Sequence, residues 1–293
     1  MNPSTNFSPP SDFLLRPIVE AALREDIRSG DLTTQSLIPA GTTAEATMNA
    51  REDGVLCGLP LARLAFEMLS PGIQVQVLAE EGSPLIVQCG AAILTVQGDA
   101  RAILTGERVA LNFAQRLSGI ATLTRAFVDA VEGTGARIAD TRKTTPGLRL
   151  LEKYAVRCGG GSNHRFALDD MILIKDNHIA LCGGITQAIQ RARQSAGHAV
   201  KIEVECDTLE QVHEAASLQA DVILLDNMSP QHMKEAVQAI KATSPHTLAE
   251  ASGNITLGNA KAKAQSGVDI LSSGALTHSA KALDLGLDIQ LHL

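Results

Sequence analysis

From about Gly135 onward, short aliphatic segments alternate with longer segments of helical periodicity. The aliphatic segments are predicted as strands at 136–140, 171–175, 200–205, 221–226, 247–250 and 268–272. Predicted helices separate most of them, at 147–158, 185–195, 209–217, 231–241 and 257–265. Repeated β-α units are typical of a parallel sheet covered by helices, arranged as an α/β barrel or as an open doubly wound sheet.

Polar residues end nearly every predicted strand: Asp140, Lys175, Glu205, Asp226, Glu250 and Ser272. In both architectures the functional site lies at the C-terminal ends of the strands. In the third predicted strand, Lys201, Glu203 and Glu205 alternate with Ile202 and Val204, so the charges share one face. A barrel interior with a polar mouth explains this alternation better than the alternative, a half-exposed edge strand.

The region before Gly135 has a different organisation. Residues 1–12 are predicted as a disordered tail, and residues 13–130 as an N-terminal α/β sandwich domain with a helix at 14–25. A long helical region from Arg101 to about Val131 ends this domain and is predicted to break near Gly119. Residues 131–279 then form the predicted α/β barrel domain.

Composition limits the classes of function. Aromatic residues make up only 2% of the chain, so its core is built from aliphatic side chains. A net charge of −7 argues against nucleic acid or an anionic membrane as the main partner. The five cysteines are scattered without a C-x-x-C pair, which indicates reduced thiols in a cytoplasmic protein. The chain shows neither a signal peptide nor an apolar run of about 20 residues, the length of a membrane span.

One segment, residues 140–178, concentrates positive charge in this acidic chain: Arg142, Lys143, Arg149, Lys153, Arg157, His164, Arg165 and Lys175. Cations that line one pocket repel each other unless a bound anion neutralises them. Arg142, Arg165 and Lys175 are therefore candidates for binding carboxylate or phosphate.

Other features of this segment predict local structure. The helical cations Arg149, Lys153 and Arg157 are interpreted as surface residues. Thr145 and Pro146 are expected to start their helix. The glycines at 159–161 would let the backbone approach a ligand. His164 next to them is either a buried histidine or, as favoured here, a ligand hydrogen-bond partner.

Two carboxylates and two small-residue loops complete the candidate site. Glu205 and Asp226 end neighbouring strands and suit Mg²⁺, although they are equally suited to pair with Lys143 or Lys175. Two tripeptides follow the last two strands, where α/β barrels often bind phosphate: Ser252-Gly253-Asn254 and Ser273-Gly274-Ala275.

Together these motifs resemble the quinolinate phosphoribosyltransferase family. Besides block 140–178, the resemblance rests on GERVALNFAQRLSGIAT at 106–122, IEVE at 202–205, ILLDN at 223–227, EASGNI at 250–255 and SGALTH at 273–278. It covers most of the chain, with the motifs in order. It implies an N-terminal sandwich domain, completed by 280–293, and an open or incomplete TIM-like barrel. It also implies a homodimer in which Arg108 enters the active site of the partner.

The resemblance further implies roles for individual residues. Lys143, Glu205 and Asp226 are expected to be catalytic, with the last two near the ribose and Mg²⁺. The residues expected to bind quinolinate and the phosphoribosyl donor are Arg108, Thr141, Arg142, Lys143, His164, Arg165, Lys175, Glu205, Asp226, Ser252, Gly253, Asn254, Ser273, Gly274 and Ala275. Asn254 stands where some relatives carry glycine.

The implied reaction joins quinolinate to 5-phosphoribosyl 1-diphosphate, yielding nicotinate mononucleotide, diphosphate and CO₂ for de novo NAD synthesis. Two alternatives remain at this point. One is a phosphoribosyltransferase that does not decarboxylate its substrate and would need fewer cations. The other is a noncatalytic anion-binding protein, which would not need Glu205 and Asp226 beside the basic cluster.

Overall fold

The computed structural model describes residues 8–89 and 92–290, so most of the predicted disordered tail (residues 1–12) lies outside the described residues. The chain divides into two compact units. The first contains the chain up to Arg125 together with 150–160 and the segment from Ala280, and the second contains Ala126–Arg149 and Gly161–Ser279. Residues 150–160, placed in the barrel domain by the sequence, thus group with the first unit.

The elements from the N-terminus to the long helix are α1 (Asp12–Ile27), α2 (Leu32–Leu37), β1 (Thr43–Ala50), β2 (Gly54–Val55), α3 (Leu59–Glu67), β3 (Gln74–Val77), β4 (Pro84–Leu85), a 3₁₀ turn (Val87–Cys89), β5 (Ala92–Asp99) and α4 (Ala100–Ala130). The remaining elements are β6 (Arg137–Ala139), α5 (Arg149–Cys158), β7 (Ile172–Ile174), α6 (Asp176–Cys182), α7 (Ile185–Ser195), β8 (Ile202–Cys206), α8 (Leu209–Ser217), β9 (Val222–Asp226), α9 (Pro230–Thr243), β10 (Leu248–Ser252), α10 (Leu257–Ala264), β11 (Ile270–Ser272), α11 (Ala275–His278) and β12 (Leu285–Gln290).

The first unit is built on an antiparallel sheet in the order β12-β1-β5-β3, so a strand from the end of the chain completes it. The alternating burial along β1 places Ala44, Ala46 and Met48 in the core. The predicted break of the long helix at Gly119 is wrong, because α4 continues through it. A Cβ at Gly119 would overlap the carbonyl oxygen of Lys281, so close packing rather than a helix end requires this glycine.

The second unit is a parallel sheet in the order β6-β11-β10-β9-β8-β7. Within the described residues no ladder joins β7 to β6, so the barrel is open, and the predicted α/β class is confirmed. The helices α7 and α8 have the predicted bounds. Because β8 lies between β7 and β9, the edge-strand interpretation of its alternating pattern is wrong.

Residues 162–165 cover the free side of β6. The N–H of Ser162 donates to the carbonyl of Ile138 at 2.8 Å, and the N–H of Asp140 donates to the carbonyl of Ser162 at 3.1 Å. A short parallel bridge joins Ala139 to Ser162. The segment that carries His164 and Arg165 is therefore tied to the sheet by its backbone.

The helix of the basic segment begins later than predicted, at Arg149. Thr145 and Pro146 instead start a turn, in which the N–H of Leu148 donates to the carbonyl of Thr145 at 3.0 Å. Gly147 has a φ of +81°, as a type II turn requires at its third position, and Pro146 suits the second. The proline therefore shapes a loop at the end of β6 rather than a helix start.

In the described part of the chain, no helix combines the length and the apolar character needed to cross a bilayer.

Candidate active site

The C-terminal ends of the parallel strands surround a cavity of about 590 Å³. The predicted residues that line it are Thr141, Arg142, Lys143, His164, Arg165, Lys175, Glu205, Asp226, Ser252, Gly253 and Asn254. Its other lining residues are Leu173, Leu224, Asn227, Glu250 and Ser272. The arrangement follows from the fold, because every strand of a parallel sheet ends at the same edge.

The two arginines of this pocket are only partly compensated by the protein. The Nε of Arg142 is buried and has no hydrogen-bond partner among the described residues. Burial lowers the pKa of Arg165, and the nearby positive charge of Arg142 lowers it further, against a smaller opposing effect of Glu203. The two guanidinium groups repel each other, and one N–H of Arg142 lacks an acceptor. Both features fit a site that binds an anion.

Asp140 fixes the backbone beside these cations. Its side chain is fully buried and accepts hydrogen bonds from Nδ2 of Asn163 at 2.6 Å and from the N–H of His164 at 2.9 Å. The N–H of Arg165 donates to Nδ1 of His164 at 2.7 Å, and Nε2 of the ring lies 3.1 Å from Oε2 of Glu203. Nδ1 of His164 is thus occupied within the protein, while Nε2 faces a buried carboxylate, and the ligand hydrogen bond predicted for His164 stays a prediction.

Arg149 links the two segments that carry the pocket arginines. Its Nη2 donates to the carbonyl of Arg142 at 3.4 Å, and its Nη1 donates to the carbonyl of Phe166 at 3.2 Å. Its Nε donates to the hydroxyl of Thr144 at 3.1 Å. The interpretation of the helical cations as surface residues is therefore wrong for Arg149. It is also wrong for Lys153, whose side chain is only 1% exposed.

The carboxylates at the ends of β8 and β9 are each engaged. Oε2 of Glu205 lies 2.7 Å from Nζ of Lys175, which is one of the ion pairs that the sequence left open. Oδ2 of Asp226 accepts a hydrogen bond from Nδ2 of Asn227 at 2.6 Å. These are hard oxygen donors on the pocket wall, and such a small set fits Mg²⁺, which usually keeps several waters or substrate oxygens as ligands.

The loop after β10 is held by neighbours that sequence reasoning missed. Gly253 has a φ of +80°, and a Cβ there would overlap Oδ1 of Asn227. Nδ2 of Asn254 donates to that same oxygen at 3.1 Å. Nζ of Lys263, on α10, donates to the carbonyl of Gly253 at 2.8 Å, and burial lowers the pKa of this lysine. Contacts with Asn227 and Lys263 therefore hold the loop, and the ammonium group of Lys263 lies against its backbone.

Several predicted residues lie elsewhere. Ser273 is buried, and its hydroxyl donates to the carbonyl of Ile255. Gly274 precedes the short helix α11, which begins at Ala275, and a Cβ at Gly274 would lie 2.8 Å from Cδ of the pocket residue Lys143. Arg108 lies on α4 in the first unit with an exposed side chain. A Cβ at Gly159 would overlap the carbonyl oxygen of Ala121, so this glycine serves packing within the first unit.

Among the lining residues that the site prediction left out, Glu250 and Ser272 carried a detectable signal, since each ends a predicted strand in a polar side chain. Asn227 directly follows the predicted Asp226. The apolar Leu173 and Leu224 carried none, because an aliphatic residue in a strand is not distinguishable from a core residue by pattern alone.

Comparison with known proteins agrees with this geometry. Residues 31–118 match the family "Quinolinate phosphoribosyl transferase, N-terminal domain", and residues 120–288 match "Quinolinate phosphoribosyl transferase, C-terminal domain". A probable nicotinate-nucleotide pyrophosphorylase [carboxylating] of Synechocystis sp. is 45% identical over 98% of this chain and 97% of its own length. The nicotinate-nucleotide pyrophosphorylase [carboxylating] of Mycobacterium leprae is 47% identical over 94% of this chain and 96% of its own.

Solved structures give the same result. The crystal structure of NadC from Streptococcus pyogenes superposes with a TM-score of 0.91 at 40% identity, covering 97% of this chain and 99% of that one. The nicotinate-nucleotide pyrophosphorylase of Francisella tularensis also gives 0.91, at 38% identity, covering 99% of this chain and 100% of its own. Family matches to both parts of the chain and relatives of nearly equal length lead to one conclusion: the chain belongs to the quinolinate phosphoribosyltransferase family.

Proposed function

We propose that this pocket transfers the 5-phosphoribosyl group of 5-phosphoribosyl 1-diphosphate to the ring nitrogen of quinolinate. The products are nicotinate mononucleotide, diphosphate and CO₂. The observation that supports this assignment best is the buried, unpartnered Nε of Arg142 beside the partly desolvated Arg165. A small dicarboxylate supplies the acceptors and the negative charge that this pair lacks.

The pocket divides into two ends by its chemistry. Arg142, Arg165 and Lys175 form the end suited to quinolinate, and Lys143 is shared with the phosphoribosyl donor. Each charge-assisted hydrogen bond contributes about 1.5–3 kcal/mol. Two bonds to a carboxylate therefore contribute about 3–6 kcal/mol before ordering costs are subtracted, so several such contacts are needed for tight binding.

The other end is suited to the phosphoribosyl donor. The loop of Ser252, Gly253 and Asn254 offers backbone and side-chain donors to the 5-phosphate. Glu205 and Asp226 would hold Mg²⁺, which when bound offsets the charge of the departing diphosphate. The same carboxylates stabilise the positive charge that develops on the ribose carbon as diphosphate leaves.

The reaction then needs orientation more than a protein nucleophile. The arginines hold quinolinate with its nitrogen facing the ribose carbon, and the nitrogen attacks as diphosphate leaves. The new pyridinium carries a positive charge next to carbon 2. Loss of CO₂ from that carbon leaves an electron pair which the adjacent charge stabilises, and the carbon then takes a proton.

A direct assay tests the assignment. Purified protein is incubated with quinolinate, the phosphoribosyl donor and Mg²⁺, and both CO₂ and nicotinate mononucleotide are measured. We expect the two products in equal amounts. Nucleotide without CO₂ would indicate the non-decarboxylating alternative, and binding without either product would indicate the noncatalytic one.

A variant pair connects the activity to the pocket. Arg142→Ala should reduce quinolinate affinity at least tenfold while circular dichroism stays unchanged. Arg191→Ala, a control on the exposed face of α7, should bind as the unaltered protein does. Unchanged quinolinate affinity in Arg142→Ala would exclude the proposed role of this residue.

We also propose a homodimer in the cytoplasm, in which Arg108 of one protomer reaches the pocket of the other. The exposed position of Arg108 and the family resemblance support this assembly, and the free thiols of Cys57, Cys158, Cys182 and Cys206 suit a reducing compartment.

Mixing Arg108→Ala with Lys175→Ala tests the shared site. Each mixed dimer has one site with both residues intact, so random exchange should restore roughly a quarter of full activity. If light scattering shows exchanged dimers but no activity returns, the shared site is excluded.

A further inference from the structure

Two buried glutamates stand behind His164 at the wall of the pocket. Glu203 has no exposed surface, and Glu250 is 2% exposed. Nε2 of His164 lies 3.1 Å from Oε2 of Glu203 and 3.5 Å from Oε1 of Glu250. Neither glutamate is needed for the roles assigned above, and burying two carboxylates is costly unless protons or partners compensate them.

The donors available to this cluster are too few. Both carboxylate oxygens of Glu203 and Oε1 of Glu250 are buried without a hydrogen-bond partner in the described parts of the chain. Nδ1 of His164 accepts the N–H of Arg165, so the ring can offer a proton to these oxygens only from Nε2. One N–H thus faces three oxygens, and a second proton on the carboxyl groups supplies the missing donor.

A metal ion fits this cluster less well than a proton. One ligand atom of each of His164, Glu203 and Glu250 lies within 4.8 Å of the others. However, a metal needs the lone pair of Nε2, and that nitrogen carries the ring proton as long as Nδ1 accepts a hydrogen bond. Metal binding would therefore require an imidazolate or the loss of the bond from Arg165.

The cluster also separates two cavities. His164 and Glu250 line the main pocket, and both also line a second cavity of about 120 Å³ with Arg137, Ala139, Ser162, Asn163 and Ile270. That volume holds several water molecules, and the polar lining offers them partners. Glu250 therefore lies between the main pocket and a second cavity with room for several waters.

We propose that Glu250 is the catalytic acid that protonates carbon 2 of the pyridine ring after CO₂ has left, and that the second cavity returns the proton to it. This inference rests on the proposed function. The bond from carbon 2 to the carboxylate breaks and leaves its electron pair on carbon 2. That pair takes the proton of the Glu250 carboxyl group, which becomes a carboxylate and regains a proton from water.

The surroundings of Glu250 favour its protonated form, so that a large fraction of the carboxyl groups still carry a proton near neutral pH. Burial and the negative charge of Glu203 raise the pKa of Glu250 to about 7, and Asp140 raises it slightly. His164 and a hydrogen bond with Ser272 oppose this rise. A group with a pKa near the working pH is the most effective general acid. A large fraction of it is protonated, and it is also acidic enough to release its proton readily.

Single-turnover kinetics of Glu250→Gln test the proposal. The variant should bind quinolinate and the phosphoribosyl donor within about threefold of the unaltered protein, and its product-forming step should slow by about 10²–10⁴-fold. Above pH 7, the single-turnover rate of the unaltered protein should fall tenfold per pH unit, and this decline should disappear in the variant. A purely structural role would lower the rate without removing the decline.

Further variants make each outcome decisive. Glu250→Asp keeps an acid and should keep the alkaline decline at a reduced rate, and it replaces Glu250→Gln if that variant does not fold. Glu235→Gln is the control, since Glu235 lies exposed on α9 and its Oε1 accepts a hydrogen bond from Nε2 of Gln231. Unchanged rate and pH profile in Glu250→Gln, or a flat profile in Glu250→Asp, would overturn the inference. If the unaltered protein itself forms no CO₂, the proposed function fails instead.

Discussion

Replacing Arg149 by lysine should weaken quinolinate binding although neither residue touches the ligand. The guanidinium of Arg149 makes three hydrogen bonds, to the carbonyls of Arg142 and Phe166 and to the hydroxyl of Thr144. Lysine keeps the charge, yet its single ammonium cannot reach all three acceptors in a fixed plane. The two backbone segments beside the pocket then lose their common support.

The magnitude follows from these bonds. They are 3.1–3.4 Å long and the arginine is partly exposed, so each contributes about 1 kcal/mol. Lysine retains about one of them, which leaves a loss of about 2 kcal/mol. If quinolinate must order the loosened segments, that loss appears in binding, as a dissociation constant raised up to about 30-fold.

Calorimetric titration of quinolinate alone measures this effect, with urea unfolding of the same variant as a check on the fold. Arg191→Lys, on the exposed face of α7, is the matched control and should bind as the unaltered protein does. Affinity for the phosphoribosyl donor should change by less than about twofold. A folded Arg149→Lys protein with unaltered quinolinate affinity would refute the reasoning.

Three other variants test separate parts of the structure. Gly253→Ala forces a Cβ onto Oδ1 of Asn227 at a φ of +80°, so affinity for the phosphoribosyl donor should fall at least tenfold in titrations, with quinolinate affinity retained. Gly119→Ala places a methyl group on the carbonyl of Lys281 and should lower the free energy of unfolding by about 1–3 kcal/mol or more, as measured by urea unfolding. Because the pKa of Glu250 is raised from 4.5 to about 7, protonation stabilises the fold fully below pH 4.5, and this stability is lost as pH rises through 7. Relative to Glu250→Gln, the unaltered protein should therefore lose up to about 3 kcal/mol of unfolding free energy between pH 4.5 and 8, and parallel stability curves would contradict the raised pKa.

The barrel could be predicted from the sequence because alternating strands and helices leave a pattern within short stretches of the chain. Aliphatic strands and helical periodicity repeat several times from β6 to β11, and each strand ends in a polar residue. The pocket cations were predictable for the same reason, since Arg142, Arg165 and Lys175 directly adjoin strands or their loops.

What the sequence did not predict depends on contacts between distant residues. The burial of Lys153 and the bridging role of Arg149 depend on contacts made in the folded protein. The local sequence pattern does not identify the residues that make these contacts. Thr145-Pro146 suits a helix start and a turn equally well, and Gly147 at positive φ decides for the turn. Glu250 was recognised as a polar strand end, but its significance comes from Glu203 on β8 and His164 on another segment.

The backbone bridge between β6 and residues 162–165 has a consequence for how this chain evolves. An uncovered strand edge invites pairing with other chains, and here the stretch before Arg165 occupies that edge. The same short segment thus covers a strand edge and carries two residues of the pocket lining. An insertion in it would be expected to disturb both the edge and the pocket.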